Sequence, residues 1–371
     1  MLSNYGQGAN TTTLEYKIPR TYQYTLGFQH QLRRDIAFDV AFAGNFCGWT
    51  PTNHDIGFPQ DDPGLALLQQ AIADPALFNA NLPNPFLGLL PATTGRGSAS
   101  TQSRESLLNA YALWGGLSDN NISRQTFRSD ALQVRFDKKM IGDELSSFGS
   151  LSLGVSYTFS KEYALLCCAG PSYINGDSNF RYQLDSNNKT QALAFHGIWD
   201  PPIGKGRHFS ANVHGISDKM ASGWRVDYLL SYISGFPVGI PNIINYCGDW
   251  AHYTDPKTGQ NTGQTEFHWF NNNPSCYAQF PTYRDRISYN PPRFSGNVNN
   301  PAAPQLNIAV EKNTQISERY KLQFRAEAFN ITNTPIRNPP NTTFPSATFG
   351  QLPESQYNFP RLVQLALKFF F

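Results

Sequence analysis

Residues 151–160, LSLGVSYTFS, alternate without exception: Leu151, Leu153, Val155, Tyr157 and Phe159 fall on one side, Ser152, Gly154, Ser156, Thr158 and Ser160 on the other. A strict period of two belongs to an extended strand with one apolar and one polar face. The pattern recurs on both sides. Toward the amino end, Tyr22, Tyr24, Leu26 and Phe28 alternate with Gln23, Thr25, Gly27 and Gln29. After a turn at Arg33, Arg34 and Asp35, Ile36, Phe38, Val40 and Phe42 resume it. Leu132, Val134 and Phe136 alternate with Gln133, Arg135 and Asp137. Toward the carboxyl end, Leu193, Phe195 and Trp199 mark a weaker strand, and Trp224, Val226, Tyr228, Leu230 and Tyr232 a strong one over Arg225, Asp227 and Ser231. Leu306, Ile308 and Val310 stand over Asn307, Ala309 and Glu311, and Leu322, Phe324, Ala326 and Ala328 over Lys321, Gln323, Arg325 and Glu327. The last strand puts Val363, Leu365, Leu367, Phe369 and Phe371 on one face and Gln364, Ala366 and Lys368 on the other.

Nine such strands suit a soluble sandwich or a membrane barrel equally well by periodicity. The connections between them separate the two. They measure about 2, 80, 12, 30, 22, 68, 7 and 28 residues, alternately short and long, as in barrels with short periplasmic turns and long extracellular loops. Aromatic residues sit at the strand ends, where barrels place girdles at the two water interfaces. With the long connections outside, Tyr22, Tyr157, Phe159 and Tyr232 belong to the outer rim, and Trp224, Tyr320, Phe369 and Phe371 to the inner one. The reading is an all-β chain: a transmembrane antiparallel β-barrel segment of about nine strands with long extracellular loops.

Composition agrees. Charged residues make up 15% of the 371 residues and aromatics 14%, against roughly 25% charged in an ordinary soluble domain. The net charge of +2 argues against a broad nucleic-acid face. No run of about 18 apolar residues offers a membrane-spanning helix, and the amino end has no signal-peptide pattern.

Few constellations suggest chemistry. Gly204, Lys205, Gly206 and Arg207 do not complete a phosphate loop and read as a turn. His252 and His268, with Asp249 and Asp255, share the 236–303 connection and could hold a metal or a substrate, or simply be solvated. The five cysteines, Cys47, Cys167, Cys168, Cys247 and Cys276, show no zinc spacing and fall in Gly-, Pro- and Asn-rich stretches outside the expected strands. Cys247 and Cys276 share the 236–303 connection. They could close a loop of about 30 residues or remain free thiols, and sequence alone does not bring them within about 7 Å. No catalytic arrangement, cofactor site or metal site is expected.

The charged residues within the strands are more informative. Arg135, Asp137, Arg225, Asp227, Glu311, Lys321, Arg325 and Glu327 all lie on the polar side. Lipid would cost an Arg or Lys roughly 2 to 4 kcal/mol at the bilayer midplane, so these side chains are expected to face protein or water in the lumen.

Seven strings occur in a fixed order: NPFLGLLP (84–91), DALQVRFDKKM (130–140), SLGVSYTFSK (152–161), PPIGKGRHF (201–209), GWRVDYLLSYISGFPVGI (223–240), LQFRAEAFNITNTP (322–335) and RLVQLALKFFF (361–371). Together they resemble the carboxyl half of the barrel of Oar-like TonB-dependent outer-membrane receptors. The resemblance spans residues 20–371, with 1–19 as an amino-terminal loop segment. It implies a 22-stranded barrel, a plug domain, a TonB box contacted by an inner-membrane complex, and often a carboxypeptidase-regulatory-like sandwich. Neither plug, TonB box nor signal peptide is legible here, and an odd strand count points the same way, since bacterial single-chain barrels have even counts. The chain is therefore expected to be the last part of such a barrel, in the outer membrane, in contact with lipid and with an unidentified solute. Val363, Leu365, Leu367, Phe369 and Phe371 resemble the signal read by the barrel assembly machinery. The alternative function is a surface adhesion or carbohydrate-binding barrel without transport.

Overall fold

The computed structural model describes residues 5–12, 14, 16–55, 80–108, 111–139, 147–166, 181–239, 241, 243–248, 250–254, 261–262, 264–279 and 294–371. All nine alternating segments are strands of one sheet: β1 (Arg20–Arg33), β2 (Ile36–Asp55), β3 (Gly116–Lys138), β4 (Ser150–Leu166), β5 (Gln191–Asp200), β6 (Trp224–Ile233), β7 (Gln305–Gln315), β8 (Lys321–Phe329) and β9 (Leu362–Phe370). Each pairs antiparallel with its neighbour in sequence, so the sheet is an unbroken meander from β1 to β9.

The register carries the alternation across strands. Leu151, Trp199, Val226, Val310, Ala326 and Leu365 align in one row of neighbours, and one residue along, Ser152, Ile198, Asp227, Ala309, Glu327 and Gln364 align in the next. The rows project to opposite faces, so a one-residue slip of any strand would exchange its apolar and polar sets. Gly197 lies between Leu153 and Tyr228 in such a row. A Cβ there would stand 2.1 Å from the Ser152 carbonyl oxygen and 2.4 Å from the Tyr228 hydroxyl. The Tyr228 ring leans into the space the glycine leaves, stacked on Phe195 with centroids 5.1 Å apart, and its hydroxyl donates to Ser152 O at 3.2 Å.

The connections alternate in side. The strand ends joined by the β1–β2, β3–β4, β5–β6 and β7–β8 connections lie at one edge of the meander, and those joined by the β2–β3, β4–β5, β6–β7 and β8–β9 connections at the other. β5, β6, β8 and β9 have 10, 10, 9 and 9 residues, close to the bilayer-spanning length. In contrast, β2, β3 and β4 have 20, 23 and 17. The connection expected over 46–126 is accordingly shorter, because β2 runs on to Asp55 and β3 begins at Gly116. Cys47, expected outside the strands, lies within β2. Beyond the hydrocarbon neither face of a strand meets lipid, so pairing continues while the period of two fades.

The same reason accounts for the amino-terminal segment. Gly8–Thr12 is a strand paired parallel with Gly116–Asn120 of β3, within the stretch read as loop. Lys17 N donates to Ser123 Oγ at 2.9 Å, and the Lys17 and Arg20 head groups stand 6.0 and 5.1 Å from the Trp49 ring centre. Arg181–Leu184 likewise adds to the far end of β4. Leu65, Leu67, Leu68, Ala71 and Ile72, whose spacing in sequence is that of a helix, lie outside the described residues, as do Cys167 and Cys168. Among the described residues no helix is long and apolar enough to cross a membrane.

The two faces make a direct prediction. Leu153→Arg places a cation on the apolar face and should lower assembly into the membrane by roughly 2 to 4 kcal/mol near midplane, whereas Ser152→Arg, one residue along, should be far milder. Heat-modifiable, folded protein in the membrane fraction measures both. Equal losses would contradict the face assignment.

Candidate functional site

On the polar face, four strands bring their charges together. Arg225 of β6 grips Asp200 at the end of β5 with both prongs of its guanidinium, Nε to Oδ1 at 2.8 Å and Nη2 to Oδ2 at 3.1 Å. Arg225 also stands opposite Glu311, which stands opposite Arg325. Arg325 reaches three carboxylates: Glu327 through Nε at 2.5 Å, and Asp227 and Glu311 through Nη1 at 3.2 and 3.3 Å. Asn313 and Gln323 complete the shell by donating to Glu311 Oε1 at 2.5 and 2.8 Å. Four carboxylates thus share two guanidiniums, and the lattice stays net negative. The period of two makes such a cluster possible, since charges two residues apart on one strand and opposite each other on the next share a face.

Of the residues expected on this face, Arg225, Asp227, Glu311, Arg325 and Glu327 join the lattice. Arg135 and Asp137 form a separate pair on β3, Nε to Oδ2 at 2.6 Å. Lys321 stands apart, with Nζ 5.8 Å above the Phe370 ring. Asp200, Asn313 and Gln323 were not singled out from the sequence. Asp200 shares its face with His196 and Ile198 of β5, whose weak alternation concealed it. On the opposite face, Val363, Leu365, Leu367 and Phe369 are all more than half exposed, Phe369 stacks on Tyr320 at 5.6 Å, and Phe371 follows the end of β9 at 91% exposure.

At the edge of the long connections, the described residues of 234–304 and those of 330–361 fold against each other as a cap. Cys247 and Cys276 are joined by a disulfide, with Cα atoms 5.2 Å apart. Ile243–Asn245 pairs with Tyr277–Gln279, and Pro237–Gly239 with Phe294–Asn299. Val238, Ile243, Phe270, Cys276, Tyr277, Val298 and Phe349 form a buried cluster, with Trp250, Trp269 and Phe344 packed on its edge. Hydrogen bonds stitch the two connections together. Trp269 N donates to Gly350 O at 2.9 Å, Leu352 N to Glu266 O at 2.8 Å, and Asn272 Nδ2 to Phe349 O at 2.9 Å, while Arg337 pairs with Glu266 at 2.8 Å. Gly350 has φ of +75°, and a Cβ on it would stand 2.4 Å from that of Asn272, so only glycine fits. The Tyr277 hydroxyl donates to Asn271 O within the same core.

His268 Nδ1 lies 2.8 Å from Asn272 Oδ1, which ties that ring to the cap. Asp249 and Asp255 lie outside the described residues. Among the described residues no three His, Cys, Asp or Glu gather into a metal site. In the 80–108 region, burial lowers the Arg96 pKa from its ordinary value; its Nη1 donates to Ser106 O at 3.3 Å. Exposed rings on the cap connections include Tyr246, Phe267, Tyr357 and Phe359.

An antiparallel meander with one apolar face, one ion-paired face and long connections at a single edge defines a membrane β-barrel sheet. The chain belongs to the outer membrane beta barrel domain family, whose model matches residues 2–364, and this places it in the outer membrane. No curated protein matches it significantly. Its structure is similar to that of the outer membrane transporter YddB from Escherichia coli, at 8% identity and a TM-score of 0.45 over 97% of this chain and 34% of that one. It is also similar to the ferripyoverdine receptor of the outer membrane of Pseudomonas aeruginosa, at 7% identity and a TM-score of 0.38 over 96% of this chain and 27% of that one. The chain thus spans about a third or less of these proteins.

The disulfide closes a loop of sequence separation 29. Chain entropy assigns such a closure about 3 to 4 kcal/mol, so Cys276→Ser should make the cap several-fold more sensitive to limited proteolysis while the sheet keeps its protection. Cleavage at the wild-type rate would show that the aromatic cluster alone holds the cap.

Proposed function

We propose that this chain supplies strands and outer loops to an energised outer-membrane receptor that takes up a solute, with no catalytic step and no cofactor. One arrangement carries the reading: an ion-paired face behind a lipid-directed face, in a sheet whose edge strands β1 and β9 each have one strand neighbour in the meander. Lipid tolerates no row of unpaired backbone groups, so both edges call for further strands. Nine antiparallel strands close with antiparallel seams only if an odd number is added, in keeping with a larger even-numbered barrel. Arg135, Asp137, Arg225, Asp227, Glu311, Lys321, Arg325 and Glu327 then face the lumen. There the net-negative lattice suits a plug domain or a polar path, as the resemblance to TonB-dependent receptors implies. The cap stands above that lumen and offers the first contact to solute.

Energised uptake and simple surface binding separate experimentally. Cells with and without the gene are grown on a complex medium, and the spent medium is profiled by mass spectrometry. Uptake predicts depletion of one solute class, lost when a protonophore collapses the energy supply. An unchanged medium, with gene-dependent binding to glycan surfaces through the exposed cap rings, would instead support the adhesion reading.

Val363, Leu365, Leu367, Phe369 and Phe371 act in this account as the recognition strand for barrel assembly. Deleting Phe371 should lower the amount of protein reaching the outer membrane. Normal membrane levels with lost uptake would assign Phe371 to the transport path.

A further inference from the structure

We propose that the 201–223 connection and the strand ends beside it form a binding site for an anionic phospholipid on the outer surface of the sheet. The inference rests on the assignment of the apolar face to lipid. Phe148, Leu151, Trp199, Ile203, Phe209 and Tyr228 line a cavity of about 500 Å³, within the range of small-molecule sites. Leu151, Trp199 and Tyr228 belong to the apolar rows, so the cavity opens on the lipid-directed face, away from the ion-paired lattice.

Its second wall is a tight turn. Ile203 and Phe209 bridge one another, Phe209 N donates to Pro202 O at 2.8 Å, and Gly204 N donates to Phe209 O at 3.0 Å. The tip of this turn carries Lys205 and Arg207. Among the described residues neither forms an ion pair. The neighbouring acids are engaged elsewhere: Asp200 by Arg225, and Asp218 by the Ser222 hydroxyl. Arg207 Nη1 donates to Pro201 O at 3.5 Å, so two cations without a carboxylate partner among the described residues stand at the turn that joins the cavity walls.

The ring donors of the walls are already engaged. Trp199 Nε1 donates to Phe148 O at 2.8 Å and the Tyr228 hydroxyl to Ser152 O. Apart from the exposed Ser147 the lining is carbon and engaged ring donors, which suits a hydrocarbon chain better than a polar solute. The surroundings have the character of a membrane interface. Trp224 Nε1 donates to Met220 O at 3.0 Å, Lys312 stands 5.5 Å over the Trp224 ring, and Ile216 and Met220 of the short helix Ile216–Ala221 are 79% and 70% exposed. Tryptophan with lysine at this depth, beside exposed aliphatic side chains, marks the boundary between acyl chains and head groups. The acyl chain fills the carbon-lined cavity, and the phosphate meets Lys205 and Arg207.

Tryptophan quenching tests the site. The protein as cells make it is reconstituted into nanodiscs containing acyl-brominated phosphatidylglycerol or acyl-brominated phosphatidylcholine, and the Trp199 contribution is isolated as the difference from Trp199→Phe. The expected preference for phosphatidylglycerol at Trp199 is on the order of tenfold in relative affinity, from two cations near the surface. Lys205→Gln combined with Arg207→Gln should abolish it, and Lys219→Gln should leave it. Equal quenching by the two lipids, or equal sensitivity to Lys219→Gln, would overturn the phospholipid site while leaving the lipid-directed face intact. Absence of quenching at Trp199 by either lipid would overturn the face assignment itself.

Discussion

Hydrocarbon offers no hydrogen-bond partner, so every peptide group within the bilayer must be paired by a neighbouring strand. The other features of this chain follow from that constraint. It forces a meander in which each strand pairs with the next and forbids irregular backbone at membrane depth. It also confines the long connections to the ends of strands. The same constraint bears hardest on the edges β1 and β9, each of which has one neighbour in the meander among the described residues. The apolar face then needs little packing specificity, because lipid conforms to it. The polar face pairs part of its charge internally through the Asp200–Arg225 and Asp227–Glu311–Arg325–Glu327 contacts and leaves a net negative surplus.

This division explains what could be read from sequence. All nine sheet strands were legible because lipid on one side enforces the period of two, as at Leu151 to Ser160 and Leu322 to Ala328. The outer parts of β2 and β3, Cys47 among them, carried no such period, since both of their faces lie beyond hydrocarbon. Gly8–Thr12 was invisible for the same reason: its pairing is supplied by β3 and not by its own pattern. The lattice was half legible. Its members on β6, β7 and β8 follow from alternation, whereas Asp200 ends a strand whose face toward the lattice includes Ile198.

The cap lies at the opposite extreme. Its core joins residues from two connections separated by two strands, β7 and β8, as in Trp269 to Gly350 and Glu266 to Leu352. No local periodicity encodes such contacts. Its local signals are the pair Cys247 and Cys276 and the glycine Gly350, of which only the first is distinctive in sequence. Loops that bury an aromatic cluster and close a disulfide behave as a small scaffold, and a scaffold at the outer rim can present rings and polar groups in fixed positions. The fold thus separates two tasks, spanning by pattern and recognition by tertiary contact, and only the first is written in short range.

One face of the sheet is directed to lipid and the other to water or protein. Spin labels placed singly from Leu322 to Phe329 along β8, in the protein reconstituted into bilayers, test this most directly through their accessibility to oxygen and to a water-soluble nickel complex. Accessibility should follow a period of two, with Leu322, Phe324, Ala326 and Ala328 open to oxygen and Gln323, Arg325 and Glu327 shielded from it. A flat profile, or alternation of the opposite phase, would contradict it.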